Sequence, residues 1–600
     1  MNRNASFTRK VGYIIAIAVL LLPLSALSRP ATVSPAGSQV RSEPGGKLAQ
    51  LRAEYNLAQA ELGEIDPASE AMKLSTLGLR GVSANILWAQ ANHYKKVEDW
   101  DKVEVAVNQI IRLQPNFLNV WDFQAHNLSY NISTEFDDYR MRYQWVKKGI
   151  EFLILGTHYN REEPGLLNQI GWFMGQKVGR SDEQKEFRRI FKDDKDFHET
   201  FRRNGIEVDQ QQALGPDAKP DNWLVARLWY NAATDAVTFS GKPIRGKAPL
   251  LFYSGAPMSQ INGAAAMQTD GFFFERAQIA WQTAAREWTS YGNRELPTTA
   301  GYNIRLNEQE AMEERVEALF AELDKLAPGI REELRQEKLA TVTPEQLAAL
   351  KKPEPDRTQE ETIYAAEAEM TARVAAQEVA DRAPREVRPK LRTLVEQIES
   401  YQDIANRISR DRAIVNFVYW RTRCEAEMSE LAQSARASVY EADHLPQGEN
   451  FDKARKLYEE GFDRWAQLFD KYPILMENAE AQDLIDSVQR YRDLLGQLEE
   501  PFPVDFKLNR MLDLHDKGRQ LKEQVRLLQG EPSSAKKPGD KPADDNTPAA
   551  PPKTEQPKPE QPKSLTPEPE SRTADKKTDE KKADEKNDEE KKADEAKSEQ

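Results

Sequence analysis

The stretch FDKARKLYEEGFDRWAQLFDKYP, residues 451–473, decides how the chain is read. Phe451, Ala454, Tyr458, Gly461 and Trp465 follow one another at steps of three and four, which places all five on one stripe of a helix. Small residues in such a stripe let a neighbouring helix come close, and the aromatics fill the space beside them. The template recurs at Phe274, Ala277, Trp281, Ala284 and Trp288. It recurs with aliphatics at Trp100, Val103, Val107 and Ile110, closed by Pro115, and more weakly at Tyr139, Val146, Gly149 and Leu153, where Arg142 spoils the first small position. A helix pattern copied along a chain predicts an all-α repeat scaffold of antiparallel helical hairpins.

Residues 74–115 read as the most complete hairpin. Leu87, Ala91 and Tyr94 share one face, Glu98-Asp99 turns the chain, and a second helix begins at Trp100. Counted back from Pro115, Leu87 takes the large position, Ala91 the small one and Tyr94 the aromatic one of a 34-residue unit. These positions resemble the tetratricopeptide family, with valine where that family prefers alanine. A next unit opens with Trp121, Ala125 and Leu128, carries an insertion near residues 134–140 and ends at Pro164; Ile170 and Met174 open a third. Trp420 and Cys424, four apart, match the large and small positions of a first helix, which makes Cys424 a packing residue. The resemblance implies α-solenoid fragments and says little about function, because that family binds many unrelated partners.

Working outward, Arg3, Arg9 and Lys10 precede the apolar run of residues 11–27. That pattern reads as a signal-anchor or signal peptide over 1–28, with the N-terminus inside and the body outside the membrane. Residues 29–46 read as a Pro/Gly/Ser linker, and Lys47 to Leu62 as a first amphipathic helix. A tetratricopeptide-like helical domain spans 47–203; within it the charged segment KEFRRIFKDDKDFHETFRR reads as a solvated helix face. Residues 204–300 read as a helical hairpin with an irregular loop at 240–270, where Leu250 to Tyr253 is expected to be extended. Charged helices divided by prolines fill 301–410. A second tetratricopeptide-like domain spans 411–530, with Ile408 to His444 as one long helix. Residues 531–600, nearly devoid of large apolar side chains, read as a disordered Lys/Glu/Pro-rich tail.

The chemistry-bearing signals are sparse. A net charge of −14 opposes nucleic-acid binding, and a single cysteine excludes an intrachain disulfide framework. Residues 241–248, GKPIRGKA, have the glycine and lysine spacing of a phosphate loop. They place Ala248 where a hydroxyl is needed, and Pro243 removes an amide. His158 with Glu162 and Glu163 is the one local metal-ligand grouping, and a plain loop cluster is the preferred reading. No catalytic residue, cofactor or metal is assigned. The expectation is a scaffold in the inner (cytoplasmic) membrane, single-pass with its body extracytoplasmic, or secreted after signal cleavage. Its partner is a protein or a cell-envelope polymer. The rival is an envelope enzyme with a nonlocal site near 250–270. The order of anchor, then GLRGVSANILWAQA (residues 78–91), then aromatic hairpins is also similar to an uncharacterised anchored bacterial family sometimes labelled "iron responsive element"; no residue here supports iron or RNA binding.

Overall fold

The computed structural model describes residues 32–36, 39–43, 47, 50 and 80–528, apart from 299–300, 355–356, 446–449 and 478. The expected anchor, the tail and all but two positions of the first amphipathic helix lie outside the described residues. The body is all-α. Among the described residues no helix is long and apolar enough to cross a membrane. The segment read as a linker contains a two-stranded antiparallel ribbon, Thr32–Ala36 against Gln39–Glu43.

The first hairpin is α1 (Arg80–Lys96) against α2 (Trp100–Leu113). Glu98 takes a left-handed conformation, φ 57°, and lets the chain reverse within three residues. Asp99 then caps α2 by accepting from the Lys102 backbone N–H at 3.3 Å. Val103, Ala106, Val107, Ile110 and Leu113 recur at three- and four-residue steps and are buried, while Trp100 is half-buried beside them. α3 (Leu118–His126) widens into a π-turn at Asn127–Asn131 before α4 (Tyr139–Tyr159) returns against it. The indole of buried Trp121 donates to the Pro115 carbonyl at 2.8 Å, and Asn160 donates to the same oxygen at 2.9 Å. The closing proline of one hairpin is therefore gripped by both ends of the next.

The chain continues through α5 (Pro164–Phe173), α6 (Gln184–Asp193), α7 (Lys195–Arg203) and α8 (Asn222–Thr238). It then forms α9 (Pro249–Tyr253), α10 (Gly255–Thr269) and α11 (Glu275–Asn293). The reading of 240–270 as an irregular loop is corrected: only 239–248 is irregular, and Leu250–Tyr253 is helical, not extended. Pro249 and Pro257 each sit in a first turn, where the missing amide has no intrahelical partner to lose. In α11 Ala277, Trp281, Ala284 and Trp288 are buried, but Phe274 stands before the helix and is 48% exposed.

α12 (Gln309–Leu326), α13 (Ile330–Leu339), α14 (Pro344–Lys351), α15 (Gln359–Ala372), α16 (Ala376–Arg382) and α17 (Arg388–Ile414) form a side lobe. Leu319, Leu323, Val379, Leu391 and Ile398 give it a core of its own. The single long helix expected over 408–444 is also corrected. It is the end of α17, then α18 (Phe417–Glu427), then α19 (Glu430–Asp443). Asn416 breaks the first junction with φ 51°, and Ser429 caps α19 by accepting from the Ala432 N–H. α18 packs on α11, so the main run of helices resumes after the lobe. α19 pairs with α20 (Phe451–Lys471), followed by α21 (Ala479–Gln497), α22 (Asn509–Leu514) and α23 (Asp516–Leu528).

The small residues of the template do what their spacing suggests. A Cβ on Gly461 would stand 2.7 Å from Val439, and one on Gly149 would stand 2.8 Å from the Ala125 carbonyl oxygen with Ser129 closer still. Both glycines mark places where two helices approach without room for a methyl group. Gly149→Ala is expected to cost about 1–3 kcal/mol through overpacking, read as a fall in the urea midpoint by circular dichroism; an unchanged midpoint would show that the α3–α4 contact is loose.

Candidate functional site

A groove of about 1160 Å³ is walled by segments far apart in sequence. One wall is α6, residues 217–223 and the end of α10; the other is α18, α19, α20 and the start of α21. Nine lysines and arginines line it against six aspartates, in a chain whose net charge is −14. The concentration of cations is local, not compositional.

The first wall follows from the amphipathicity of α6. Phe187 and Phe191, four apart, are buried and anchor the helix. Lys185, Arg188, Arg189 and Lys192 are thereby turned along its flank into the groove. Arg188 is buried and donates to both Asp270 oxygens at 3.1 and 2.9 Å. Lys192 reaches Asp217 at 2.9 Å and Asp270 at 3.5 Å. The segment read from the sequence as a solvated helix face is thus partly an internal wall, a correction owed to α10 folding back over it.

Behind the opposing wall, and bound to its Arg436, lies Glu427, only 2% exposed. It accepts from Arg436 Nε at 2.8 and 2.9 Å and from Gln268 Nε2 at 3.0 Å. Burial alone would raise the Glu427 carboxyl; the charge and hydrogen bonds of Arg436, together with the Arg423 charge and the Gln268 hydrogen bond, more than reverse this and hold it below the usual carboxylate range. Arg436 also stacks on Trp465, at 4.9 Å from the ring centre. Arg423, equally buried, lies over Trp281 at 4.9 Å and Trp420 at 5.4 Å, and burial pushes it down to about 10. Arg490 and Tyr458 both bind Asp443, at 2.7 and 2.6 Å.

The walls are joined at one end. Besides Gln268 to Glu427, the Phe274 N–H donates to Gln433 at 3.2 Å, Gln278 donates to the Met428 carbonyl at 3.3 Å, and Phe273 meets Tyr440 edge-on. Gly271 has φ +88°, and a Cβ there would strike the Tyr440 hydroxyl at 2.7 Å. Phe274 has φ 58° and ψ −131°, a conformation that L-residues rarely hold. Such strain, of order 1–3 kcal/mol, persists only where neighbours enforce it and clusters near functional sites.

Some groups in the groove are uncommitted among the described residues. Arg180 meets Asn262 at 2.8 Å but no carboxylate, and Lys185 meets none either. Asp483 has no hydrogen-bond or ion-pair partner, and burial, then Asp486 one turn away, raises its carboxyl. Trp465 Nε1 and Gln268 Oε1, in side chains 5% and 4% exposed, have no hydrogen-bond partner.

Of the positions singled out in the sequence, Trp420 and Trp465 line this groove, while Trp281 and Cys424 pack behind it. Ala454, Tyr458 and Gly461 are buried and Phe451 half-buried within the C-terminal core. Trp100, Val107 and Trp121 belong to the N-terminal cores. A second cavity, about 720 Å³, lies between His158, Asn204, Trp229 and Phe239. There His158 Nε2 is 2.6 Å from Asn204 Oδ1, and among the described residues no group of His, Cys, Asp and Glu is placed to hold a metal ion. The phosphate-loop-like segment does not form a cradle: Lys247 donates to Asn168 at 2.8 Å, and Arg245 points to Glu163.

Comparison with protein-family models, curated proteins and solved structures returns no match.

Two outcomes test this geometry. Arg436→Met leaves Glu427 buried without its main counter-charge and is expected to destabilise the chain by about 3–5 kcal/mol in urea denaturation. Burial pushes the Cys424 thiol up to about 12. A thiol reagent at neutral pH is therefore expected to leave Cys424 unmodified until denaturant is added, and rapid labelling of native protein would contradict its place in the core.

Proposed function

We propose that this chain is a tetratricopeptide-like helical-repeat scaffold that holds a protein or cell-envelope partner in the groove between its two helical halves. The observation carrying this reading is the groove itself: its two walls, some 240 residues apart at their centres, enclose Arg180 and Lys185, cations that have no carboxylate partner among the described residues. The repeat reading is supported by hairpins α1–α2, α3–α4, α10–α11 and α19–α20, and by the small residues at their contacts. The charged apolar pattern of residues 1–28 supports a tether to the cytoplasmic membrane with the body on the extracytoplasmic side.

An enzyme with its site near 250–270 has one observation in its favour, the presence of Asp270 in the groove. Asp270 is bound by Arg188 and Lys192, Asp443 by Arg490, and Asp193 by Lys219. An acid–base pair needs two carboxyl groups available to substrate; these are engaged structurally, and Asp483, on the opposite wall, is the one groove aspartate without a partner among the described residues. Binding is the better account.

The test is crosslinking in intact cells. A photoreactive residue replacing Thr269, which is exposed in the groove, is expected to capture a discrete partner, whereas the same residue at Ile279, exposed outside it, is not. Ala266→Trp, which places an indole into the groove, should abolish the Thr269 product. A product that survives Ala266→Trp, or equal capture at Ile279, would rule out the groove as the binding site.

A further inference from the structure

Resting on that reading of the groove, we infer that its ligand is a peptide segment bearing both signs of charge, with carboxylates in excess over basic groups. The argument starts from which charges are already spent. Asp193, Asp217, Asp270 and Asp443 are each held by a neighbouring lysine or arginine. Asp486 has Lys517 at 3.8 Å. What is left to meet a ligand is Arg180 and Lys185 on one wall and Asp483 on the other. Two cations and one carboxylate on opposite walls ask for a ligand with an acidic side and a smaller basic side. A uniformly anionic polymer, whether glycan, lipid surface or nucleic acid, would leave Asp483 opposed by like charge.

The uncharged groups favour the same ligand. Trp465 Nε1 is a donor only and Gln268 Oε1 an acceptor only. Both belong to the lining, and neither is satisfied among the described residues. A peptide group offers the complement of both, a carbonyl for the indole and an N–H for the amide oxygen. A phosphate has no N–H to give. Both atoms are buried, so engaging them requires side-chain rotation of Gln268 and of Trp465. The groove's volume, about 1160 Å³, also exceeds what one drug-sized ligand fills and suits a run of several residues.

The test uses the full chain and an array of synthetic peptides in which the numbers of Glu and Lys are varied systematically, with hyaluronate oligosaccharide and inorganic phosphate in parallel. The best binders are expected to combine several Glu with at least one Lys and to weaken as salt is raised. The double substitution R180Q/K185Q should lower their affinity by at least about tenfold, since a charge-assisted contact is worth roughly one such factor. D483N should erase the advantage of peptides containing Lys over all-Glu peptides. Both changes replace side chains without carboxylate or lysine partners, and an unchanged circular-dichroism melt verifies that the variants fold. Hyaluronate or phosphate binding as well as the best peptide, with the same loss in R180Q/K185Q, would overturn the ligand class while leaving the groove as a site. Peptide binding unaffected by Ala266→Trp would overturn the groove reading itself.

Discussion

The close approach of helices over small residues is the constraint on which the rest depends. Gly149 and Gly461 leave no room for a Cβ, Ala277 and Ala284 are fully buried, and Trp121, Trp281, Trp288 and Trp465 are buried in the same cores. That arrangement fixes the spacing within each hairpin, and the hairpin spacing fixes where the next helix lands. Pro115 shows the coupling between hairpins directly, because its carbonyl is shared by Trp121 and Asn160. A lobe with its own core can interrupt this run between α11 and α18 without disturbing it, since α18 returns to pack on α11.

The groove is a consequence of the same run of helices bending back on itself. Its joined end is polar and buried: Gln268, Glu427, Arg436 and Gln433 link α10 and α11 to α18 and α19. A buried ion pair contributes little net stability compared with apolar packing, but it penalises any other relative placement of its partners. The strained backbone at Phe274 sits at this joint, held by Gln433. The joint and the uncommitted cations of Arg180 and Lys185 therefore belong to one construction, in which the wall positions are held at one end and the mouth presents charge.

How much of this was legible in the sequence depended on how local the signal was. The stripe of α20 and most of that of α11 could be read, because three- and four-residue steps are properties of a single helix. Phe274 fitted the steps yet lies outside the helix, since Gly271 and the tertiary contact with Gln433 override periodicity at a terminus. Residues 249–269 were misread because prolines and glycines suggest loops, although in first turns they are compatible with helix. The breaks at Asn416 and Ser429 carried only single-residue signals within a continuous apolar pattern. The groove had no local signal. Charges on α6 identify a polar face, but only the fold places α18 and α19, some 240 residues later, opposite them.

Hydrogen exchange along the full chain, measured with and without the best-binding acidic peptide, tests the groove most directly. Protection is expected at the end of α10 through residues 270–274, along the groove-facing flank of α6, and in the first turns of α21, with α1, α2 and the lobe unchanged. Protection confined to the outer faces of the hairpins, or spread evenly over the chain, would contradict a binding site between the two halves.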